Sequence, residues 1–360
     1  MKVLIIGNMG YIGPVVVRHL RKLYPQAMLF GFDAGFFAQS LMTAGPFPEH
    51  QLDRQYFGDV RSIDSAILDG VDAVVNLAAI SNDPMGKRFE EATLAINYRA
   101  AVALAAAAKR MGVKSYVFAS SCSVYGSAED GAKREASPLD PLTAYARSKV
   151  MAERELIPMA DQNFTVTCLR FATACGMSDR LRLDLVLNDF VAGALIHKKV
   201  VVLSDGTPWR PLINVRDMAR AIDWAMWREQ DCGGAGLIVN VGSNQWNCQV
   251  KDLAQAVAGL LPGAEVSINP NAQPDKRSYQ VSYDLFHKLA PNHQPLSDLR
   301  TTILELKEGL ERAGFADPAY RESNFMRLNV LRKFREDGLV TDALEWSSSV
   351  RHSVPEQLSV

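Results

Sequence analysis

The chain has 360 residues, of which 48% are hydrophobic, and its formal net charge is −1 at pH 7. This length allows two domains or one large one with a sizeable core. The balanced charge and the absence of Lys/Arg-rich runs argue against a nucleic-acid-binding surface. Five cysteines, an odd number with no CxxC pair, argue against a disulfide framework and against a zinc site, so no metal is expected.

No apolar run of the sequence approaches the length of a membrane span. The N-terminal apolar run is too short for the hydrophobic region of a secretory signal, and no small-residue cleavage site follows it. The sequence therefore predicts a cytoplasmic protein that does not interact with membranes.

The first element combines an apolar run with three glycines at fixed offsets. Lys2–Ile6 is rich in β-branched residues and predicts a buried parallel strand. Gly7, Gly10 and Gly13 follow, and then apolar positions compatible with a helix. A strand, a glycine turn and a helix place a pyrophosphate at a helix N-terminus. The alternative is a glycine-rich surface turn.

Asp33 supports the dinucleotide interpretation. It closes a second apolar run, 27–32, and lies about twenty residues after the last glycine, where the dinucleotide fingerprint has an acidic residue. A carboxylate there accepts hydrogen bonds from the adenosine ribose and repels a 2′-phosphate, which favours NAD over NADP. The alternative is an ordinary aspartate in a turn at the strand end.

The next hundred residues alternate between apolar strands and helical patterns. Strands are predicted at 55–59, 71–77 and 115–120, and a long Ala-rich helix at 89–111. This alternation predicts an α/β fold with a doubly wound parallel (Rossmann) sheet. The small side chains of the Ala-rich helix suit close packing, either onto the sheet or against a partner subunit.

Beyond residue 140 a helix is predicted at 143–156 and a strand at 164–171, after which the regular alternation ends. The segments 181–200 and 250–261 have helical patterns separated by glycine, proline and polar turns. We therefore predict a smaller, mixed α/β substrate-binding domain in this part of the chain.

The domain boundaries follow from these patterns. Two segments, 213–227 and 237–241, are expected to return to the main sheet. The charged pattern over 324–346 predicts a helical tail packed on the body or on a partner. The predicted units are a Rossmann domain of residues 1–170 to which 213–245 returns, a substrate-binding domain of residues 171–212 and 246–320, and a C-terminal tail of residues 321–360.

The strongest local signal for chemistry is a tyrosine four residues before a lysine. On a helix, Tyr145 and Lys149 share one face, so Lys149 can lower the pKa of Tyr145 from its usual value of about 10. A positively charged nicotinamide ring would add to this effect. Ser120–Ser121 and Ser123 form a hydroxyl cluster at the end of a predicted strand, where open α/β sheets bind ligands. The alternative is a surface tyrosine beside a solvated lysine.

These motifs together resemble the extended short-chain dehydrogenase/reductase family, in particular its NAD-dependent epimerase/dehydratase branch that acts on nucleotide sugars. The resemblance extends to about residue 310, and the tail at 325–346 lies outside the shared pattern. Its motifs are GNMGYIG, Gly58-Asp59-Val60, Asn76-Leu77-Ala78-Ala79, Asn97, Ser120-Ser121 with Val124-Tyr125-Gly126, Tyr145 with Lys149, and Leu169-Arg170-Phe171.

The resemblance implies catalytic roles for Ser121, Tyr145 and Lys149. It also implies a set of NAD-binding residues in addition to Tyr145 and Lys149. They are Gly7, Gly10, Tyr11, Ile12, Gly13, Asp33, Asp59, Val60, Leu77, Ala78, Ala79 and Asn97.

The substrate side of the resemblance rests on fewer residues. Arg210 and Arg277 resemble two family arginines that pair with the substrate diphosphate, and Asn188 resembles an asparagine that meets the same group. Two guanidinium groups and a helix N-terminus suit a pyrophosphate. The alternative for each arginine is a surface salt bridge.

The departures from the family pattern concern the reaction. Dehydratases of the family carry an Asp-Glu pair directly after the catalytic hydroxyl, whereas this chain has Cys122 and Ser123. The leading interpretation is a nucleoside-diphosphate-sugar 4-epimerase, expected as a homodimer. The alternatives are a 4-dehydrogenase or 4-ketoreductase on the same substrates, a dehydratase, and a non-catalytic NAD-binding sensor.

Overall fold

The computed structural model describes residues 1–42, 45–127, 131–269, 272 and 277–347. Its strands are β1 (Lys2–Ile6), β2 (Met28–Asp33), β3 (Arg54–Phe57), β4 (Ala73–Asn76), β5 (Ser115–Ser121), β6 (Thr165–Phe171), β7 (Thr173–Cys175), β8 (Lys199–Val202), β9 (Trp209–Asn214), β10 (Gly236–Val241), β11 (Asn247–Gln249) and β12 (Glu265–Ile268). Its α-helices are α1 (Gly13–Leu23), α2 (Asp83–Arg88), α3 (Glu90–Leu94), α4 (Ala101–Arg110), α5 (Ala144–Leu156), α6 (Val186–His197), α7 (Val215–Trp227), α8 (Val250–Leu260), α9 (Asp284–Leu289), α10 (Leu299–Arg312) and α11 (Arg327–Glu336).

A seven-stranded sheet of order β10-β6-β5-β4-β1-β2-β3 forms the centre of the molecule, and its neighbouring strands are parallel. The order reverses between β1 and β4, and such a switch point leaves a crevice outside the carboxyl ends of the strands. The prediction of a doubly wound parallel sheet is confirmed.

The central strands are apolar throughout because both faces of the sheet are covered. In β1, Val3 and Ile5 belong to the core on one face, and Leu4 and Ile6 to the core on the other. Successive side chains of a strand point to opposite faces, so a strand that is covered on both faces is apolar at nearly every position.

The second part of the molecule is a mixed α/β unit. It contains a three-stranded sheet of order β11-β9-β7 and a parallel pair of β12 with β8. Helices α6, α8 and α10 pack against one another beside these sheets. The predicted boundaries of a substrate-binding domain stay a prediction.

The segment 213–227 differs from its prediction in one respect. The strand β9 ends at Asn214 and pairs within the three-stranded sheet, whereas α7 packs on β4, β5 and β6 of the main sheet. Asn214 accounts for the change of direction, since its side chain accepts from the Arg216 amide (2.9 Å) and donates to Thr302 (2.9 Å). The strand β10, at Gly236–Val241, extends the main sheet beside β6.

The prediction of a helix over 181–200 is wrong at both ends. Leu181 and Leu183 are buried in the core, and they alternate with the buried Arg180 and Arg182 in a non-helical segment. The helix α6 covers only 186–197, and Lys198 ends it in the left-handed conformation (φ 52°) before β8 begins.

The Ala-rich helix predicted at 89–111 is interrupted. A π-helical stretch, Ala95–Ala100, lies between α3 and α4. Ala101, Leu104, Ala105 and Ala108 face the core on one side of the main sheet, so this face of the helix packs within the chain.

The described part of the tail packs on the body. After α11, an isolated bridge joins Val340 to Trp346, and Leu331 and Leu344 are buried in the core. Residues 348–360 of the predicted tail lie outside the described residues. None of the described helices is long and apolar enough to cross a membrane.

Candidate active site

A cavity of about 800 Å³ lies at the carboxyl ends of the main-sheet strands and extends toward the second part of the molecule. This volume is in the range of ordinary ligand sites. The cavity brings together most of the residues that the sequence singles out: Gly7, Gly10, Tyr11, Ile12, Asp33, Asp59, Val60, Leu77, Ala78, Ala79, Ser121, Tyr145, Lys149, Arg210 and Arg277.

The glycine turn forms one wall of the cavity. Gly7 has φ 82°, and a Cβ on it would lie 2.7 Å from the main-chain nitrogen of Ala78. A Cβ on Gly13 would lie 2.1 Å from the carbonyl oxygen of Asn8. Neither position accepts a side chain unless the backbone moves. Gly10 lines the cavity at the start of α1, so the turn fits the pyrophosphate of a dinucleotide.

Asp33 ends β2 beside this turn. Its carboxylate accepts hydrogen bonds from the main-chain nitrogens of Met9 (2.9 Å) and Gly35 (2.8 Å). Burial raises the pKa of Asp33, and these two hydrogen bonds oppose that effect. The carboxylate is thus fixed at the edge of the cavity, where a ribose of the dinucleotide would lie.

Asp59 and Asn97, both predicted to bind the cofactor, have protein partners. Asp59 accepts from the main-chain nitrogen (2.8 Å) and the Nε (2.9 Å) of Arg61. Asn97 lies in the π-helical stretch and is buried. Its amide donates to the Ile80 carbonyl (3.0 Å) and to Ser148 (3.1 Å), and its oxygen accepts from the Ile80 nitrogen (2.8 Å). Asn97 therefore holds the loop after β4, and its binding of NAD stays a prediction.

The three predicted catalytic residues come together at the centre of the cavity. Ser121 ends β5, and Tyr145 and Lys149 lie one turn apart on α5. The helix begins after Thr143, whose hydroxyl accepts from the Ala146 amide (3.2 Å). The Nζ of Lys149 lies 5.6 Å from the centre of the Tyr145 ring.

Burial has the largest effect on the pKa values of Tyr145 and Lys149. It raises the pKa of Tyr145 to about 12, although a hydrogen bond with Ser121 lowers it. Burial also lowers the pKa of Lys149 to about 7. The cation whose charge lowers the pKa of Tyr145 is Arg182, whereas the sequence predicts Lys149 for this role.

Arg182 belongs to a buried network that the sequence analysis missed. Its Nε donates to Asp184 (2.9 Å) and its Nη1 to Ser81 (2.7 Å). Asn82 donates to the same carboxylate (2.7 Å). All four residues line the cavity. The alternation of arginine and leucine over 180–183 is the sequence signal for this extended, buried segment.

The two arginines predicted to hold a diphosphate face the same cavity. Arg277 donates to Asp83 (2.6 Å), and Arg210 on β9 donates to the Trp209 carbonyl (2.9 Å). Asn188 lies in the first turn of α6 and is fully buried. Its side chain bonds to Gly176, Tyr11 and Arg182. Its role in diphosphate binding stays a prediction.

A family model described as the NAD-dependent epimerase/dehydratase family matches residues 3–242. The chain belongs to this family. The match includes the glycine turn, the Ser121, Tyr145 and Lys149 group and the strand β9. It confirms the family resemblance and the expectation of NAD as the cofactor. It also supports an enzyme of the nucleotide-sugar epimerase/dehydratase type.

Relatives of this NAD-dependent family member include both reaction types. The uncharacterized UDP-glucose epimerase YtcB of Bacillus subtilis is 27% identical over 246 residues, 66% of this chain and 68% of that protein. A dTDP-glucose 4,6-dehydratase of Streptomyces griseus is 28% identical over 248 residues, 66% of this chain and 72% of that protein. The structure of MoeE5 in complex with UDP-glucose and NAD matches with a TM-score of 0.73 and 26% identity, over 87% of this chain and 99% of that chain.

Asp33 predicts which of the two dinucleotides this family member prefers. NAD should bind at least about tenfold more tightly than NADP, because the carboxylate accepts from ribose hydroxyls and repels a 2′-phosphate. The neighbouring cation, Arg180, is paired with Glu49 (2.6 Å). Calorimetric titration with both dinucleotides would measure the ratio of the NAD and NADP affinities. In an Asp33→Asn variant the preference for NAD should be smaller. Equal or tighter binding of NADP to the unaltered chain would contradict the assignment.

Proposed function

We propose that this NAD-dependent protein is a 4-epimerase of a nucleoside-diphosphate sugar. One observation supports epimerisation over elimination. The cavity places Ser121, Tyr145 and Lys149 together, and the two positions after Ser121 carry no carboxylate. Cys122 is buried with its thiol against the Arg170 carbonyl (3.0 Å), and burial raises its pKa far above the usual range.

The carboxylates that line the cavity are all engaged by other groups of the protein. Each accepts hydrogen bonds from described residues. The pairs are Asp33 with Met9 and Gly35, Asp59 with Arg61, Asp83 with Thr143 and Arg277, Asp184 with Arg182 and Asn82, and Asp189 with Tyr320 and Arg321. Water elimination needs an acid and a base that can exchange protons with the sugar. This constellation does not offer such a pair beside the catalytic hydroxyl.

The chain's own residues would perform the proton part of the reaction. Tyr145 removes the proton of the sugar 4-hydroxyl, and Ser121 holds the same oxygen in place. Lys149 orients the nicotinamide ribose. NAD supplies the hydride acceptor and a positive charge near Tyr145. After the keto sugar has rotated, Tyr145 would return its proton to the sugar oxygen, and return of the hydride to the opposite face of the sugar would leave no net redox change.

Rotation of the keto sugar requires that the substrate be held elsewhere. Arg210 and Arg277 suit this purpose, because guanidinium groups bind phosphate oxygens with paired hydrogen bonds. Arg277 would exchange its present partner, Asp83, for the diphosphate, and Asp83 would keep the hydrogen bond from Thr143 (2.7 Å). A sugar anchored only through its diphosphate can present either face to the nicotinamide.

Replacing Arg210 or Arg277 with alanine should weaken nucleotide-sugar binding by about 1.5–3 kcal/mol each, the scale of a hydrogen bond to a charged group. NAD affinity should hardly change. Calorimetric titration with the nucleoside diphosphate and separately with NAD measures both effects. Arg134→Ala is a matched control, since Arg134 is exposed and pairs with Asp284. Unchanged nucleoside-diphosphate affinity would remove the substituted residue from the diphosphate site.

Incubation of the purified protein with a panel of nucleotide sugars, without added cofactor, tests the reaction type. Absorbance of NADH and product stereochemistry are followed together. We expect a C4 epimer and no lasting NADH signal. NADH formed in proportion to a keto product, without epimer, would establish the 4-dehydrogenase alternative. A 4-keto-6-deoxy product would establish a dehydratase, and no product with any sugar would favour a binding protein.

A further inference from the structure

The C-terminal strap, defined as residues 327–347, lies against the dinucleotide half of the cavity. It follows the last residue of the family model by more than eighty positions. Its helix α11 packs on α2, which follows the loop after β4. Its far end packs on the loop after β2, where Trp346 donates to the Ala34 carbonyl (2.7 Å) and its ring lies 5.3 Å from Phe36. The strap therefore extends between two loops that line the cofactor site.

A further contact joins the strap to Asp59, one of the residues predicted to bind NAD. Arg61 donates to the carbonyls of Ala343 (2.7 Å) and Leu344 (3.0 Å), and it also donates to the Asp59 carboxylate. Leu344 itself is fully buried. The strap is therefore a packed part of this half of the molecule.

Arg327, the first residue of α11, is a charged residue of the strap that lines the cavity. Its side chain is buried, with 1% of the residue exposed. Its Nη2 donates to the Arg180 carbonyl (2.8 Å) and its Nη1 to the Asn324 carbonyl (3.4 Å), and the guanidinium lies 4.7 Å from the centre of the Phe37 ring. A guanidinium carries five N–H donors, so these contacts leave donors for a ligand.

The charge of Arg327 is not matched by a carboxylate of its own. Within the described ranges no acidic side chain forms an ion pair with it, and the carboxylate that acts on it most, Asp184, is bound by Arg182. Burial and the charges of Arg182 and Arg180 lower its pKa to about 9. A buried cation without an ionic partner is costly, and an anionic ligand in the cavity would offset that cost.

Two anions could meet Arg327, namely the pyrophosphate of the dinucleotide and the diphosphate of a nucleotide sugar. Phe37, which lies under the guanidinium, follows β2 and lines the cavity, as Asp33 does. Phe37 belongs to the dinucleotide half, whereas Arg210 and Arg277 belong to the other end.

We propose that Arg327 binds the pyrophosphate of NAD from the side opposite the glycine turn, so that the C-terminal strap completes the cofactor site. The turn supplies main-chain N–H groups and the helix N-terminus, and Arg327 supplies the balancing charge. The chain outside the family model would in this way contribute directly to cofactor binding. The proposal does not depend on which sugar reaction the protein catalyses.

The test compares three ligands with the full chain and with Arg327→Gln. ADP-ribose carries the pyrophosphate, adenosine lacks it, and UDP reports the substrate end. In the variant, ADP-ribose should bind about 10- to 100-fold more weakly, as expected for the loss of hydrogen bonds to a charged group, with adenosine and UDP unchanged. Arg332→Gln, an exposed change on the same helix, should leave all three affinities unchanged.

The other outcomes overturn the proposal. Equal weakening of ADP-ribose and adenosine would show that Arg327 only supports the fold, and weakening of UDP alone would assign it to the substrate diphosphate. If Arg327→Gln does not fold, as judged by its melting transition, Arg327→Lys replaces it. That variant keeps a cation but loses the planar fork. Weaker ADP-ribose binding with unchanged adenosine binding would then support the proposal, and unchanged ADP-ribose binding would overturn it.

Discussion

Replacement of Tyr145 by phenylalanine is expected to lower turnover by about 10²–10⁴-fold, the range typical of general acid–base catalysis. The variant should keep its fold and its NAD affinity, because only a hydroxyl that faces Ser121 and the cavity is removed. The rate at saturating nucleotide sugar, calorimetric titration with NAD and the melting temperature measure the three quantities. A rate near that of the unaltered protein would exclude Tyr145 from the mechanism.

Tyr98→Phe is the matched control for this variant. The Tyr98 hydroxyl donates to the exposed Glu155, on the outside of the molecule, so its removal should leave the rate unchanged. A loss of activity in both variants would indicate a non-specific effect of removing a tyrosine hydroxyl rather than the loss of proton transfer at the site.

The large expected effect follows from the high pKa of Tyr145, which prevents the side chain from acting as a base near neutrality without help from positive charges. Burial raises its pKa to about 12, and lowering it to neutrality corresponds to about 7 kcal/mol. Arg182 contributes from the protein, while burial lowers the pKa of Lys149 to about 7 and so weakens its charge near neutrality. The positive nicotinamide of bound NAD is therefore the main additional charge that the mechanism requires.

The sequence predicted those features of the site that are local along the chain. The glycine turn needs a strand, a tight turn and a helix within about fifteen residues, and each has its own sequence signal. Tyr145 and Lys149 are likewise related by helical spacing alone. Arg182 and Arg327 reach the cavity from segments without a motif of this kind. The alternation of arginine and leucine over 180–183 indicates a buried extended segment but not that Arg182 faces the site, which is why both were missed.

Two helix predictions failed because tertiary contacts outweigh local preference. Ala-rich sequence favours an uninterrupted helix, yet Asn97 bonds to both main-chain groups of Ile80 and the helix widens to a π-helical stretch around it. Over 181–185 the apolar spacing allows a helix. The structure has instead a non-helical segment in which both the leucines and the neighbouring arginines are buried.

A buried ion pair beneath the active site predicts the largest effect on stability. Glu153 accepts from the Nε (2.9 Å) and, with its other oxygen, from the Nη2 (2.7 Å) of Arg170, and it also accepts from Ser120 (2.5 Å). Both charged side chains are almost completely buried, with 2% and 4% of their side-chain surface exposed. Arg170 extends the network to the Tyr125 hydroxyl (3.0 Å). The pair joins α5, which carries Tyr145 and Lys149, to β5 and β6.

Glu153→Ala should lower the free energy of unfolding by about 3–5 kcal/mol, because it leaves the Arg170 charge buried without its partner. Denaturant unfolding with NAD absent measures the loss. Glu311→Ala is the matched control, since Glu311 forms an exposed pair with Lys307 on α10 and should cost no more than about 0.5 kcal/mol. A loss below about 1 kcal/mol in Glu153→Ala would contradict the assigned role.

A double substitution separates the cost of a lone charge from the value of the pair itself. Apolar side chains of similar size often replace a buried ion pair with little loss of stability, so Glu153→Leu with Arg170→Met should recover most of what Glu153→Ala loses. Catalysis should not recover with it. Glu153 raises the pKa of Lys149 against the effect of burial, and without that carboxylate the lysine loses its proton at lower pH. Turnover in the double variant should therefore stay low near neutrality although the protein is folded, and full activity would show that the pair acts on stability alone.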